Sequence, residues 1–331
     1  MGGKEPVMNR RHILRLAAAA LALNLTATAS AQSLPPGPIR MVVGFAAGGS
    51  TDAMARIIGE KLSQRLGRSV IVENNAGASG RLAAEQVKKA PADGLTILVG
   101  NIGMVVLAPV TFKNLSYDPL VDFEPVVRAA DFQLAVAATK ETGASDMAGF
   151  VQWLKQNPDN ANIAVPLQAS LSHLTGLRFA QASGAKAEMV IFRGMALAMQ
   201  DLLAGRLSGA VATVADFSEQ HRAGTMQVMA VSGTRRAPAL PEVPTFTEAG
   251  LKGFESNGWN GYLLPKGTPQ PVVELYNREI TAIVASPETA QRYEQLGFIA
   301  PEPNTPAAFA SAIKAGMDAW RPLVEAAGLQ Q

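Results

Sequence analysis

Ile39-Arg40-Met41-Val42-Val43-Gly44-Phe45-Ala46-Ala47-Gly48-Gly49-Ser50-Thr51-Asp52 reads as an apolar strand running into a glycine-rich turn. Beyond it, Met54, Ile57, Ile58, Leu62 and Leu66 recur at helical spacing, so the turn feeds backbone N–H groups into a helix N-terminus. Gly48 and Gly49 let that backbone approach a ligand closely, and Ser50 or Thr51 can cap the helix or donate a hydroxyl. The stretch fits an anion cradle. It fits an ordinary strand-to-helix turn equally well.

Short strand-like runs and helical patterns alternate from Pro38 onward at spacings suited to parallel βαβ units, which makes the chain an α/β protein. Gly67 ends the first helix, Val70 to Val72 form a second strand, Leu82, Ala83 and Val87 mark a second helix face, and Pro91-Ala92-Asp93-Gly94 turns into a strand from Leu95 to Val99. The strand ends near Gly44, Asn74 and Gly100 should share one sheet edge, the side on which open α/β sheets bind ligands. After a connection from Asp118 to Val127, a second series begins. Strands are expected at Gln133–Thr139, 163–165, 189–192, 209–214 and 227–232, with a helix capped by Ser145 and others around 174–182, 196–204 and 217–223. An extended run at 257–264 precedes helices near 272–285, 288–296 and 306–327. This last part lacks a strand series of its own, so it should pack back on the first sheet, giving two lobes joined by two crossovers.

The N-terminus reads as an exported leader: Asn9-Arg10-Arg11-His12, an apolar run from Leu16 to Leu25, and Ala29-Ser30-Ala31 before Gln32. It is a twin-arginine-like signal peptide, residues 1–31, cleaved near Ala31, with Met1 or Met8 as the start and either the twin-arginine or the general secretion route open. A bilayer span needs about 20 apolar residues, which this run does not supply. The chain carries 29 basic and 27 acidic residues, net +2, but Lys4, Arg10, Arg11 and Arg15 against Glu5 lie in the leader, so the remainder holds 25 against 26, net −1. The exported part therefore has no basic surplus and no basic stripe of the kind a nucleic-acid binder keeps. It has no cysteine, hence no disulfide framework or thiolate metal site. The 48% hydrophobic and 17% charged residues of the full chain are those of a globular protein. His173 and His221, the histidines outside the leader, lack neighbours at metal-ligand spacing, and no cofactor is expected. Gly48-Gly49-Ser50-Thr51-Asp52 lacks the last glycine of a nucleophile elbow, and Gly77 to Gly80 is too short a signal for a dinucleotide site. A hydrolase is the less favoured alternative.

Several segments in order resemble the Bug family, the periplasmic solute-binding receptors of tripartite tricarboxylate transporters. These are Gly48 to Asp52; Val72-Glu73-Asn74 and the loop after it; Tyr117-Asp118-Pro119 with Asp122-Phe123; Ser172-His173-Leu174; and Ala237-Pro238-Ala239-Leu240-Pro241-Glu242-Val243-Pro244-Thr245. The resemblance spans the exported chain and implies a two-lobe periplasmic binding-protein fold of type II, each lobe a mostly parallel sheet flanked by helices, closing on a small carboxylate. The lobe limits it suggests are 36–132 and 259–331 for the first lobe and 133–258 for the second. It implies a division of labour: Phe45, Ala46, Ala47, Gly49, Ser50 and Thr51 on the first lobe, with Asn101, Ile102 and Met104 as a second wall, against Gln168, Ala169, Ser170, Ser172 and His173 on the other. It also implies membrane transporter subunits as partners and a monomeric receptor; a membrane sensor kinase is the alternative partner.

Asp52 is expected to orient its loop, since a second negative charge there would repel an anion. His173 is expected to serve more in a helix-start hydrogen bond than in ligand contact, and His221 to lie on the surface. Asp216 can select a ligand group or cap the helix at Phe217, the capping role being preferred, while Arg193 can bridge the lobes or pair with an acid. Three departures from the family pattern stand out. Pro166 to Leu171 contains no glycine, Ile102 and Met104 stand where polar residues are frequent, and Phe192 stands where tyrosine is common. Together they suggest an apolar cleft, and a ligand with an aromatic or alkyl body.

Overall fold

The computed structural model describes residues 34–192, 194–255 and 257–330, together with Gly3. Apart from Gly3, the leader lies outside the described residues, as does Arg193. Strand β1 (Ile39–Val43) leads through the glycine-rich turn into helix α1 (Ser50–Leu66). Gly67 closes α1 in the left-handed conformation, φ 62°, its N–H on Ser63 O. Then come β2 (Val70–Asn74), α2 (Arg81–Lys88) and β3 (Thr96–Asn101). β1 pairs in parallel with both other strands, Val43 lying opposite Asn74 and Val99, so the three strand ends do share one edge. Two short helical turns at 103–111 follow.

The expected connection from Asp118 to Val127 is in part a strand, β4 (Phe123–Phe132). Pro125, which has no N–H to donate, and the charged Glu124, Arg128 and Asp131 disguise it. The proline is tolerated because β4 is an edge strand, and its pairing is irregular near that point. The second lobe contains β5 (Leu134–Thr139), α3 (Met147–Gln156), β6 (Asn162–Val165), α4 (Leu171–Ser183), β7 (Glu188–Ile191), α5 (Met195–Leu203), β8 (Gly209–Thr213), α6 (Val214–Arg222) and β9 (Met226–Val231). Helix α3 is capped not by Ser145 but by Asp146, whose carboxylate accepts the Gly149 N–H at 2.7 Å. The run expected at 257–264 is β10 (Gly258–Pro265), inserted antiparallel between β3 and β4, and α7 (Gln270–Val284), α8 (Pro287–Gln295) and α9 (Pro306–Ala326) complete the first lobe.

Both five-stranded sheets follow the same plan, β2-β1-β3-β10-β4 and β7-β6-β8-β5-β9, each with four strands running one way and a single strand, β10 in the first and β5 in the second, antiparallel to both its neighbours. On the first sheet, one face is covered by α1 and α7 through residues such as Ile58, Val273 and Tyr276, and the other by α2, the 103–111 turns and α9. Full burial of such side chains is worth roughly 1.5–3 kcal/mol each, which fixes the sheet edge as a rigid platform.

The chain leaves the first sheet at Phe132, enters the second at Leu134, and returns between Val231 and Gly258. Gln133, 4% exposed, ties these crossovers together: its side-chain amide donates to Ser232 O and to Arg235 O at 2.8 Å, and its own carbonyl accepts the Val214 N–H at 2.9 Å. Leu174 of α4 joins the apolar cluster of Ile102, Trp259 and Trp320, and the Arg178 guanidinium lies 4.3 Å from the centre of the Trp320 ring. The amino-terminal half of α4 is thereby held against the end of β3, across the lobe boundary.

Candidate functional site

The turn after β1 is built around Gly44 and Asp52. A side chain on Gly44 would have its Cβ 2.6 Å from Gly80 Cα and 2.8 Å from Met104 Cε, so only glycine fits. Gly48 adopts φ 84°, which glycine alone takes without strain. Asp52 is 3% exposed and fully engaged. Its Oδ2 accepts the Gly48 N–H at 2.9 Å, its Oδ1 accepts the Asn74 side chain at 2.9 Å, and Arg56 donates to both oxygens at 3.0 and 2.9 Å. Burial pushes its pKa up, but hydrogen bonds from Arg56, Gly48 and Asn74 outweigh that and hold it below the usual value. Asp52 orients the loop, as expected, and its charge is answered before any ligand arrives.

Ser50 and Thr51 are not caps. The N-cap of α1 is Gly49, which has no side chain to offer, and the first helical bond runs from Ala53 N–H to Gly49 O at 2.9 Å. The N–H groups of Gly49, Ser50, Thr51 and Asp52 therefore have no partner among the described residues. Residues Ala46 to Ser50 are exposed, with Phe45 and Thr51 half-buried beside them. Unpaired first-turn amides carrying the positive end of a helix dipole, open to solvent, form an anion-binding arrangement. The rim beyond is strained: Gly77, Ala78, Ser79 and Gly80 have φ of 148°, 47°, 56° and 89° in succession. Strain of this kind in non-glycine residues collects at functional sites.

The expected second wall is only partly a wall. Asn101 is half-buried, with Oδ1 on the Met104 N–H at 3.0 Å. Met104 is fully buried beneath Gly44 and Gly80, and Ile102, 5% exposed, packs among Leu174, Trp259 and Trp320. Met104 presents no surface to the cleft, and Ile102 only a small edge, which borders a cavity lined by both lobes. Their apolar character serves packing under the loops, so the apolar-cleft expectation retains Phe45, Phe192 and the 45%-exposed Leu167.

In the second lobe, β6 occupies the place that β1 has in the first, and α4 follows as α1 does. In the glycine-free loop Ala169 itself takes the left-handed conformation, φ 55°. Its N–H donates to His173 Nδ1 at 3.0 Å. Burial depresses the His173 pKa, so the ring is neutral and carries its proton on Nε2. Ser170 is the N-cap of α4: its hydroxyl accepts the His173 N–H at 3.2 Å and donates to Leu167 O at 2.7 Å. Its single proton is thus already committed within the loop. Ser172 is 7% exposed with a hydroxyl unpartnered among the described residues, and Gln168 is exposed.

Asp216 takes its capping role, at N3 of α6 rather than ahead of Phe217. Thr213 is the N-cap, and Asp216 Oδ2 accepts from Thr213 N and Oγ1 at 3.0 and 2.6 Å. Burial raises the Asp216 pKa more than those bonds lower it. His221 is not a surface residue: its side chain is 9% exposed, accepts the Val228 N–H on Nδ1 at 3.2 Å and meets Glu242 through Nε2 at 3.0 Å.

Two features escaped the sequence. Helix α5 begins after Gly194, φ 107°, without a side-chain cap, at the end of β7. Asn260, in β10, is 2% exposed and lies opposite Asn101, with Thr51 Oγ1 at 3.5 Å from its Oδ1. A cavity of about 800 Å³ opens on a flank of the crossovers, lined by Arg128, Asp131, Arg178, Trp259 and Trp320; of the expected ligand residues it touches Ile102 alone. No residue of the turn that heads α1 lines it, and the candidate site is taken as the strand ends, where the first-turn amides of α1 are unpaired among the described residues.

A model described as the tripartite tricarboxylate transporter family receptor matches residues 54–329. The "UPF0065 protein in tcbD-tcbE intergenic region" of Pseudomonas sp. (strain P51) is 34% identical over 318 residues, 96% of this chain and 94% of that protein. MatC from Rhodopseudomonas palustris with bound malate is 30% identical, with a TM-score of 0.74 over 88% of this chain and 100% of that one. An R. palustris protein with adipate is 29% identical, with a TM-score of 0.78 over 88% and 98%.

Proposed function

The chain belongs to the tripartite tricarboxylate transporter receptor family, a family of solute-binding receptors rather than enzymes, and on that premise we propose that it binds a small carboxylate between its lobes. The observation that carries this is the set of unpaired N–H groups at Gly49 to Asp52, heading a helix whose only early acid is already neutralised by Arg56. A carboxylate loses much of its hydration on entering a cleft, which is tolerable only where several fixed donors replace the water. First-turn amides do this without a formal positive charge. Solute-bound structures of relatives, one with malate and one with adipate, support the ligand class.

Lobe closure follows from the same geometry. A solute held by α1 gains further contacts from the loop at 166–170, from Ser172 and from the start of α5 only when the second lobe swings in, and that difference in contacts is what favours the closed state. Phe45, Leu167 and Phe192 suit an aromatic or alkyl body on the ligand. We further propose export through the leader at 1–31 and presentation of the closed form to membrane transport subunits; no helix among the described residues is long and apolar enough to cross a membrane. The test is a thermal-shift screen of the protein from Gln32 onward against aliphatic and aromatic mono-, di- and tricarboxylates. A ligand that binds only the folded state raises Tm, so a rise confined to one class of carboxylate supports the proposal, and no rise with any of them refutes it.

A further inference from the structure

We propose that Asn260 is a ligand-contacting residue, selecting carboxylates that carry an oxygen on the carbon next to the carboxyl group. The inference rests on the carboxylate reading of the cleft given above and adds a specificity that neither the sequence nor the relatives assign.

Asn260 is the third residue of β10, where the chain re-enters the first lobe. Its cross-strand partner is Asn101, just as Tyr262 partners Val99, so both amides stand on the sheet face that α1 covers. Thr51, in the uncapped first turn of α1, has its hydroxyl 3.5 Å from Asn260 Oδ1. That is longer than a well-formed hydroxyl hydrogen bond, and it is the contact the Asn260 side chain makes among the described residues. Asn260 Nδ2 has no protein acceptor among them, yet it is not among the sealed, unsatisfied atoms of the core, although the residue as a whole is 2% exposed. A side-chain amide that is almost wholly buried, with an unpaired NH2 reaching solvent at the base of a binding loop, is an oriented donor.

Its position defines what it can meet. The first-turn amides hold the carboxylate, and Asn260 adjoins the second residue of that turn, so its NH2 reaches an acceptor one or two bonds from the carboxyl carbon. A 2-hydroxyl or 2-oxo oxygen satisfies this. A ligand lacking that oxygen leaves the amide unpaired in a closed, dry cleft, and unpaired donors discriminate more strongly than missing apolar contacts do.

The experiment uses matched probes that differ only in that oxygen: malate against succinate, and mandelate against phenylacetate. Affinities are measured by calorimetry on the wild type, Asn260→Ala and the isosteric Asn260→Asp, each checked for an unchanged fold by its melting curve. In the wild type, at least one pair should favour the oxygenated member by about ten-fold, and Asn260→Ala should bring that ratio to within about two-fold of one. Asn260→Asp sets a carboxylate beside the cradle and should weaken every probe by about ten-fold or more. An unchanged ratio in Asn260→Ala, equal weakening of both members of a pair, or full affinity in Asn260→Asp overturns the proposal and leaves carboxylate binding intact. Failure of the wild type to bind any of the four, or any other carboxylate, overturns the carboxylate reading and the proposal with it.

Discussion

Replacing Asp52 tests whether the first binding loop is organised from within. Asp52→Ala removes an acceptor from the Gly48 N–H, one from the Asn74 amide and two from Arg56. The bonds from Gly48 and Asn74 go to a 3%-exposed carboxylate and are charge-assisted, a type worth roughly 1.5–3 kcal/mol each when intact. The Arg56 side chain is 52% exposed, so its pair adds only about 0.2–1 kcal/mol. Allowing for water reaching the freed groups, Asp52→Ala should cost about 3 kcal/mol in urea denaturation, and Asp52→Asn, which keeps one acceptor oxygen, about half as much. The pH dependence fixes the cause. The folded pKa of Asp52 lies below the unfolded value of about 4, so its contribution is complete above that pH and is lost as pH falls through the folded pKa. The stability gap between wild type and Asp52→Ala should therefore narrow below about pH 4. A loss under about 1 kcal/mol at neutral pH, or a gap independent of pH, would refute the proposed organisation of the loop.

Other substitutions probe the surrounding loops. Ser170→Ala should destabilise the protein by about 1 kcal/mol through loss of the α4 cap, with a smaller effect on affinity than Asp52→Ala has; a neutral melting curve would contradict the capping role. Ala169→Gly should stabilise by roughly 0.5–1 kcal/mol, because relief of a left-handed alanine outweighs the added freedom of the unfolded chain; destabilisation in a denaturant titration would show the strain to be absent. Gly44→Ala should cost about 1–3 kcal/mol, since its Cβ meets the Gly80 backbone at 2.6 Å, and it should disturb carboxylate affinity as well. Wild-type stability in that variant would mean that the packing of the turn is looser than described.

Local patterns made much of the fold legible. Ile39 to Val43, the glycine turn and the helical spacing from Met54 onward prescribe one βα unit, Gly67 ends it, and the repetition of such units prescribes two sheets. β4 stayed hidden because strands are read from β-branched, proline-free runs, whereas Phe123 to Phe132 obtains its strand character from β10, which lies far away in sequence. The site was legible to the extent that it depends on backbone: the cradle loop and the orienting role of Asp52 follow from residue types and spacing. What a side chain faces was not. Met104 follows a strand end and so reads as a cleft residue, yet the absence of side chains at Gly44 and Gly80 leaves a hollow beneath the loops that it fills. Asn260 carries no local signal at all, since only strand pairing brings it to Asn101 and Thr51. Ser170 reads as a donor until its proton is found on Leu167 O.

The central claim is that a carboxylate docks on the unpaired first-turn amides of α1. Its most direct test is a titration of 15N-labelled protein with a carboxylate that raises Tm, following the backbone amide resonances of Gly49, Ser50 and Thr51. The account expects these three to move downfield and saturate with the same affinity that calorimetry gives, as they acquire a charged acceptor. Saturation of binding with those resonances unmoved, and the shifts concentrated instead around the Arg178–Trp320 cavity, would contradict it.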